Sequence, residues 1–417
     1  MKNQNLNIFF IDEHNSSKQN GIGTYRDLLL PRLAQEPGVS VTLISLNSDH
    51  QRMVEEKTGF GREISLPFFN NGNWRGSGEI ICPMLKGCIQ DSPRNVFMMN
   101  HSPAADFIKE LKATFPQSKI MATVHDQGWC GTLMGSEKNL RTILVDEKSP
   151  EGIPQEVCED VRRYCGTEQA IYSLVDKVIS ISPFMDTVLA DIYKVPAEKR
   201  AMIFNGYKSF GRLSMSQSEA RAKLGFSDDE ELVIFAGRPA VHKGIIPMVK
   251  AVSKLRKSSH PRLRLILCGS MHGFADYAGL IKRNASGLVF AGQIPRHELP
   301  LWHRASGIGI MPSYSEPFGY SAIEMADMGL PLVVSDGTAL RDIYHDGENA
   351  FVASIGPDVN DTEYFTVSLA DALDRALTAS PTRKKKMIAA NRRLIRTDFS
   401  VDTMVRGYLD VMRTLTA

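Results

Sequence analysis

The stretch Ser313-Tyr-Ser-Glu-Pro-Phe-Gly-Tyr-Ser-Ala-Ile-Glu324 carries the clearest indication of the fold. An apolar strand is predicted to end just before it. The loop Glu316–Gly319 then leads into a helix that should end near Met328, before Gly329 and Pro331. A loop that enters a helix at the carboxyl end of a strand presents backbone N–H groups and the positive end of the helix dipole to an anion. The stretch therefore predicts an α/β sheet with an anion site at that edge.

Short apolar, β-branched runs alternate with longer amphipathic runs on both sides of this stretch, which is the pattern of a parallel sheet covered by helices. The predicted strands of the first half are Leu6–Ile11, Val39–Leu46, Val96–Met99, Ile120–Val124, Lys177–Ser180 and Ala201–Phe204. Those of the second half are Leu232–Ala236, Leu263–Cys268, Leu288–Ala291, Gly307–Met311, Leu332–Ser335 and Ala350–Ala353. Each set is enough for one doubly wound sheet. The sequence thus predicts an α/β protein with two Rossmann-like, parallel-sheet domains that face a central cleft.

The length of 417 residues fits two or three domains of ordinary size. Gly, Ser and Lys interrupt the strand and helix pattern over Gly206–Glu219, which predicts the domain boundary there. We therefore expect a first domain over 1–207 and a second over 208–396.

Three segments lie outside this pattern. The tail 397–417 contains Val401–Leu415, which has apolar residues at helical spacing behind the N-cap candidate Ser400. Periodicity does not indicate which domain this helix covers. The polar stretches Gly59–Pro83 and Trp129–Gly166 are expected to be irregular insertions.

The composition excludes several classes of protein. With 43% hydrophobic and 23% charged residues the chain is neither disordered nor collagen-like nor a coiled coil, and its net charge of +2 favours neither nucleic acid nor a membrane. Six cysteines without a CxxC pair, and no HExxH helix, argue against a zinc site and a disulfide framework. No apolar run near the start is long enough for a signal peptide or a spanning helix, so a cytoplasmic location is expected.

A second candidate for anion binding is Phe235-Ala-Gly-Arg-Pro-Ala-Val-His-Lys-Gly244, which follows the first predicted strand of the second domain. Doubly wound folds bind phosphates at this position. Arg238 and Lys243 supply a guanidinium and an ammonium group that suit a diphosphate, and Gly237 and Gly244 let the backbone turn. Taken alone, the segment also fits a solvated turn with two surface cations.

Glu324 is expected to be partly buried among apolar helix residues, where its charge needs a partner. Taken alone, it fits an ion pair at the edge of the core, and Glu316 fits a solvated loop acid. The basic run Arg383–Lys386, followed by Arg392, Arg393 and Arg396, could meet anionic lipid or RNA, but a solvated helix face is the preferred interpretation.

The first domain contains weaker signals. Asn20-Gly-Ile-Gly-Thr-Tyr25, before a helix predicted over Thr24–Gln35, lacks the third glycine of GxGxxG and is poor evidence for NAD. A flexible loop with an N-cap explains it equally well. His101 and His125 each follow a predicted strand, where they face the presumed crevice or serve as structural histidines.

Together these segments resemble the group-1 (family 4) retaining glycosyltransferases, which have the two-lobed GT-B fold. The resemblance covers most of the chain in the expected order. Its specific part is the Glu-Pro-Phe-Gly and E-x7-E segment with Arg and Lys-Gly upstream. The matching segments are Gly21-Ile-Gly23, His125, Ser180-Ile-Ser182, Asn205-Gly206, Phe235–Arg238, Lys243-Gly244, Phe290-Ala-Gly292 and Glu316 through Glu324.

The resemblance implies transfer of a sugar from a nucleoside-diphosphate sugar, with UDP- and GDP-sugars foremost, by front-face attack and without a metal or other cofactor. Arg238 and Lys243 would hold the diphosphate, Glu316 would orient the sugar, and Glu324 would accept hydrogen bonds from the ribose. The catalytic residues would be Glu316, Arg238, Lys243 and His125, and the donor-binding residues Gly23, Gly237, Gly292, Ile294, Phe318, Gly319, Tyr320, Ser321 and Glu324. The C-terminal helix would return to the first lobe.

Some features leave alternatives open. Tyr320 replaces the Leu or Met common at that position, so the donor sugar is undecided, and the absence of a Lys-containing N-terminal loop argues against glycogen and starch synthases. A GT-B sugar-nucleotide epimerase and an NAD-dependent oxidoreductase are the alternative activities. The acceptor could be a glycan, a small molecule, a lipid-linked sugar or a peptide, and peripheral membrane contact stays open.

The net charge differs between the two halves of the chain. Residues 1–207 carry 22 Lys and Arg against 25 Asp and Glu, and residues 208–417 carry 27 against 22, which gives −3 and +5. The half expected to hold an anionic nucleotide is the positive one. The negative first half lowers the expectation of a lipid acceptor.

Overall fold

The computed structural model describes residues 5–14, 21–68, 70–101, 103–211 and 213–417. The chain divides into two units. Unit 1 contains Met1–Thr132, Glu137–Lys208 and Phe399–Ala417, and unit 2 contains Leu133–Ser136 and Ser209–Asp398. In the part of the chain just given, no helix is long and apolar enough to cross a membrane.

Unit 1 is built on an eight-stranded sheet with the order β3-β4-β2-β1-β5-β6-β7-β8. Its strands are β1 (Leu6–Glu13), β2 (Val39–Ser48), β3 (Val54–Thr58), β4 (Gly61–Pro67), β5 (Asn95–Met99), β6 (Lys119–Val124), β7 (Lys177–Ser180) and β8 (Arg200–Met202). All neighbours are parallel except the β3–β4 pair at one edge. The helices are α1 (Gly21–Leu33), α2 (Gly78–Lys86), α3 (Ala105–Thr114), α4 (Gly128–Thr132), α5 (Glu137–Leu144), α6 (Gln155–Leu174) and α7 (Pro183–Asp191).

Unit 2 is built on a six-stranded parallel sheet with the order β11-β10-β9-β12-β13-β14. Its strands are β9 (Glu231–Ala236), β10 (Leu263–Cys268), β11 (Leu288–Gly292), β12 (Ile308–Met311), β13 (Leu332–Ser335) and β14 (Phe351–Ala353). The helices are α8 (Gln217–Leu224), α9 (Ile245–Lys257), α10 (Met271–Phe274), α11 (Ala278–Asn284), α12 (Leu299–Ala305), α13 (Tyr320–Asp327), α14 (Leu340–Ile343), α15 (Thr362–Thr378) and α16 (Pro381–Thr397).

The predicted fold class is confirmed, because both sheets are doubly wound and almost wholly parallel. In each sheet the first strand lies centrally and the strand order reverses beside it, between β9 and β12 in unit 2 and between β1 and β5 in unit 1. Ligands of open α/β sheets bind outside the carboxyl ends of the strands at such a reversal. The topology thus indicates one candidate edge in each unit.

The last helix, α17 (Val401–Leu415), lies in unit 1 and has the predicted bounds. The Ser400 side chain accepts a hydrogen bond from the backbone N–H of Thr403, as expected of an N-cap. The helix packs on α1, where Arg32 and Asp402 form an ion pair at 2.8 Å, and its buried Tyr408 belongs to the hydrophobic core of unit 1.

The prediction of two irregular insertions is wrong. Gly59–Pro83 contains β4 and the start of α2, and Trp129–Gly166 contains α5 and most of α6. Strand β3 is the exposed edge of the sheet and β4 is buried only over its residues 64–66, so the hairpin lacks the long apolar run of a buried strand. Helix α6 carries apolar residues at helical spacing among many charged ones, which masked its pattern. Helix α1 also begins and ends earlier than predicted, at Gly21 and Leu33.

Candidate functional site

Two loops meet at the strand-order reversal of unit 2. The loop after β9 runs from Gly237 to Gly244, and the loop after β12 runs from Pro312 to Gly319. The carbonyl oxygen of His242 accepts a hydrogen bond of 2.8 Å from the backbone N–H of Tyr314, which ties the two loops together. Both segments singled out from the sequence therefore lie side by side at one edge of the sheet.

Gly244 allows this close approach. It has φ +70°, in the left-handed region, and a Cβ placed on it would lie 2.0 Å from the carbonyl oxygen of Pro312. No other residue type avoids that clash. The glycine thus lets helix α9 start directly against the neighbouring loop.

The Lys243 ammonium pairs with the Glu316 carboxylate. The Nζ and Oε2 atoms are 2.7 Å apart, and the two side chains are only 16% and 12% exposed. Screening by solvent is reduced at this degree of burial, so the attraction between the ammonium group and the carboxylate is stronger than it would be in bulk water. Both residues were predicted as site residues, but their direct contact was not.

Arg238 completes a cationic patch around His242. The Arg238 side chain is exposed, and within the described ranges no carboxylate pairs with it. Burial and, to a smaller extent, the charges of Lys243 and Arg238 lower the pKa of His242 to about 4, and the charge of Glu316 opposes this shift. His242 is therefore neutral at pH 7, and both predicted cations act on the same small region.

The backbone of Glu316 is held by the loop after β13. Its N–H donates to Oγ1 of Thr338 at 2.7 Å, and the same hydroxyl donates to the Glu316 carbonyl at 2.8 Å. Ala339 N–H also donates to that carbonyl. Three strand-end loops thus position the Glu316 carboxylate.

Helix α13 begins at this edge without a side-chain cap. Its N-cap is Gly319, at φ +91°, and its first turn contains no acidic residue. Phe318 is buried and its ring lies 5.1 Å from that of Tyr320, while Ser321 is half-buried. The N-terminal end of the helix can accordingly receive an anion through its backbone N–H groups.

Glu324 is only 8% exposed and pairs with Arg296, whose Nη2 lies 2.9 Å from Oε1. Burial raises the pKa of Glu324, and Arg296 opposes that shift. The sequence analysis required a partner for Glu324 but missed Arg296. The position of Arg296, two residues after the predicted donor-binding residue Ile294, was the available signal.

Glycines end three adjacent strands of unit 2, which keeps that part of the edge open. Gly237 follows β9, Gly269 follows β10, and Gly292 ends β11 at φ +75°. A Cβ on Gly269 would lie 2.4 Å from the Gly237 carbonyl oxygen. Ile294 is half-buried beyond Gly292. Gly269 was not singled out from the sequence.

In unit 1, His125 follows β6 and is half-buried, and its buried Nε2 atom has no hydrogen-bond partner among the described residues. Burial lowers its pKa to about 3, helped by His101 and opposed by Asp12. The imidazole is therefore neutral at physiological pH. Its ring meets that of Tyr25 edge-on at 4.7 Å.

Beside His125 lies a cavity of about 160 Å³, lined by residues that include Ile22, His101 and Asp126. His101 Nε2 is 2.9 Å from Asp12 Oδ1, and Arg26 pairs with the other oxygen of Asp12 at 2.7 Å. Gly23 is buried in the first turn of α1, next to Ile22. Asn20 lies outside the described residues. The sequence analysis missed Asp12 and Arg26. The available signal was the position of Asp12, a carboxylate directly after the predicted strand Leu6–Ile11.

This architecture is the fold of the GT-B glycosyltransferases. The structure is similar to sucrose-phosphate synthase from Thermosynechococcus elongatus, with a TM-score of 0.75 and 21% identity over 98% of this chain and 99% of that chain. It is also similar to Anabaena HepE in complex with UDP and glucose, with a TM-score of 0.66 and 16% identity over 98% and 100% of the two chains.

Residues 216–393, which make up most of the second unit, match the family model of the glycosyl transferases group 1. An uncharacterized glycosyltransferase of Methanocaldococcus jannaschii is 27% identical over 48% of this chain and 51% of its own length. A D-inositol 3-phosphate glycosyltransferase of Stackebrandtia nassauensis is 29% identical over 61% and 58%. The chain therefore spans a little over half the length of these relatives. The predicted family resemblance is confirmed.

Proposed function

We propose that the protein is a retaining glycosyltransferase that transfers a sugar from a nucleoside-diphosphate sugar bound at the strand-order reversal of unit 2. The observation that carries the proposal is the Lys243–Glu316 ion pair beside the exposed Arg238. This arrangement places two cations and a carboxylate at the edge where doubly wound sheets bind nucleotides.

Charge development at the leaving group explains the need for these cations. When the glycosidic bond breaks, negative charge grows on the diphosphate and positive charge grows on the sugar. Arg238, Lys243 and the uncapped start of α13 would stabilise the leaving diphosphate, and one such preorganised donor is typically worth about 10²–10³-fold in rate. These groups would make a metal unnecessary, and turnover in the presence of EDTA tests that part of the proposal.

The two glutamates would recognise the donor's hydroxyl groups. Glu316 is fixed through its backbone and its ion pair, so its free lone pairs can orient the transferred sugar. Glu324 would accept hydrogen bonds from the ribose, with Arg296 favouring its ionised form against the effect of burial. The backbone at Gly319–Ser321 would meet phosphate or sugar oxygens.

Unit 1 would supply the acceptor side. The neutral His125, with its unpartnered Nε2, is suited to exchange a hydrogen bond with a hydroxyl group at the adjoining cavity. The HepE complex with UDP and glucose supports a nucleotide-sugar donor for this fold. We propose UDP- and GDP-sugars as the first donors to test. The acceptor is to be identified from a mixture of candidate acceptors.

Calorimetry with UDP and GDP tests the donor site. Lys243→Ala should weaken binding of the preferred nucleotide by about tenfold or more, because a phosphate partner is lost. Lys250→Ala is the matched control, since this residue lies on the following helix and pairs with Glu363 at 3.8 Å. Equal affinity of both variants and the wild type would overturn the donor assignment.

Product analysis tests the reaction itself. Incubation with UDP- and GDP-sugars and a mixture of acceptors, followed by mass spectrometry, should reveal a glycosylated product. The anomeric coupling of that product in a proton NMR spectrum should show the donor's configuration. An inverted anomer would contradict retention while leaving the donor site intact.

A further inference from the structure

A cavity of about 340 Å³ lies in unit 2 at the carboxyl end of helix α13. Half of its eight lining residues are cations, namely Arg304, Lys385, Arg392 and Arg396, while Met328 and Ile388 give it an apolar side. Helix α13 has eight residues and spans about 12 Å, so the cavity and the predicted phosphate site at Gly319 lie at its two opposite ends.

Helix α16 directs three of these cations to one face. Lys385, Arg392 and Arg396 stand at positions i, i+7 and i+11, whereas Met387 and Ile395 are buried on another face. The helix contains seven Lys and Arg residues and no Asp or Glu. All the charged residues on its cavity-facing side are thus cations.

The charge of this group is not balanced by carboxylates. No Asp or Glu carboxylate among the described residues forms an ion pair with Lys385, Arg392 or Arg396. Arg304 donates through Nη2 to the Leu213 carbonyl, and its buried Nε has no hydrogen-bond partner. Like charges one turn apart on a helix repel each other, so Arg392 and Arg396 are unfavourable neighbours without an anion.

Capping of α13 explains only one of the four cations. Arg392 donates to the Asp327 carbonyl oxygen at 3.4 Å, and it lies against Gly329, where a Cβ would come within 2.9 Å of Nη2. A cation at a helix C-terminus is ordinary. The convergence of Arg304, Lys385 and Arg396 on the same cavity needs a different explanation.

We propose that this cavity is a second anion site, which binds a small molecule carrying one or two phosphate groups. Arg304, Arg392 and Arg396 would hold the phosphate, and Met328 and Ile388 would contact the carbon skeleton. The volume lies at the lower end of the range of small-molecule sites. Guanidinium groups suit phosphate because their planar fork donates two parallel hydrogen bonds.

Calorimetry with pyrophosphate tests the site in a full-length Arg238→Ala/Lys243→Ala background, which removes the proposed donor contacts. In that background we expect one binding event that Lys385→Gln/Arg392→Gln weakens by about tenfold or more. The matched control is Lys386→Gln/Arg393→Gln. It removes the same charge at the same spacing from exposed positions outside the cavity, and should change affinity less than about twofold.

Equal losses in the two variants would show a diffuse basic surface, and no binding in the background protein would also overturn the proposal. If the loss of Arg392 destabilises α13, Lys385→Gln/Arg396→Gln tests the cavity with that cap intact.

Sedimentation with phosphatidylcholine vesicles containing phosphatidic acid distinguishes the source of the phosphate. Binding lost only in the cavity variant would identify a lipid headgroup, and pyrophosphate binding without vesicle binding would identify a soluble phosphate.

Discussion

The Nζ of Lys243 lies 2.7 Å from the Oε2 of Glu316, although the two residues are 73 positions apart in the chain. They meet because β9 and β12 are adjacent strands whose loops leave the sheet at the same edge. The carboxylate holds the ammonium group beside the exposed Arg238, and the ammonium group in turn fixes the position of the carboxylate. The cation proposed for the diphosphate and the acid proposed for the sugar are thus one coupled unit.

Glu316→Gln should lower turnover by about 10²-fold while changing nucleotide affinity much less. The amide keeps the size of the side chain and its backbone hydrogen bonds, but it loses the charge. Steady-state kinetics together with nucleotide calorimetry check this split, with the exposed Glu363→Gln as control. Wild-type turnover of the Glu316 variant would exclude its role.

Gly244→Ala should destabilise the protein more than Gly225→Ala. Both glycines have φ near +70° to +77°, so both substitutions carry the strain of a left-handed residue, about 1–2 kcal/mol. A Cβ at Gly225 meets nothing within 4 Å, whereas at Gly244 it meets the Pro312 carbonyl oxygen at 2.0 Å. Denaturant unfolding compares the two variants. Equal stabilities would show that the loops move apart without cost.

His125→Leu should abolish most activity without a matching loss of stability. The Nε2 atom of the half-buried imidazole is itself buried and has no partner among the described residues, so an apolar side chain of similar size leaves no new buried polar atom. His303→Leu is the matched control. His303 resembles His125 in that burial lowers its pKa, in this case to about 4, but it lies in unit 2 and has no proposed role in the reaction. Retained activity in His125→Leu would remove this residue from the proposed mechanism.

Glu168 should make stability depend on pH near neutrality. Burial raises its pKa from 4.5 to about 7, and hydrogen bonds from the Tyr193 hydroxyl and the Gly128 N–H oppose the shift. Between pH 4.5 and about 7 the folded chain keeps the Glu168 proton that the unfolded chain has lost. The free energy of unfolding therefore falls as the pH rises through this range, by up to roughly 1.4 kcal/mol per pH unit.

Glu168→Gln removes this dependence and keeps an acceptor for Gly128. The variant should gain stability relative to the wild type as the pH rises from 5 toward 7, with no further change above it. Thermal unfolding of both proteins across this range measures the difference. A pH-independent difference would show that Glu168 titrates alike in the folded and unfolded chains.

Local patterns were sufficient for most of the sheet. Lys177–Ser180, Leu263–Cys268 and Leu332–Ser335 have the predicted bounds because a buried parallel strand is apolar on both faces. The β3–β4 hairpin and helix α6 were missed, since a partly exposed element has fewer apolar residues. Motif spacing likewise located Arg238, Lys243, Glu316 and Glu324 on or beside strand-end loops.

Local patterns therefore predicted the fold class, the resemblance to group-1 glycosyltransferases and the residues from which a donor site can be built, because strand periodicity and loop motifs are local. Only the tertiary structure decided which of these residues touch. The pairing of Lys243 with Glu316 and of Arg296 with Glu324 follows from strand order. The cationic cavity at the far end of α13 depends on how α12 and α16 pack beside that helix. Strand order and helix packing arise from contacts between residues far apart in the chain, which no local pattern encodes.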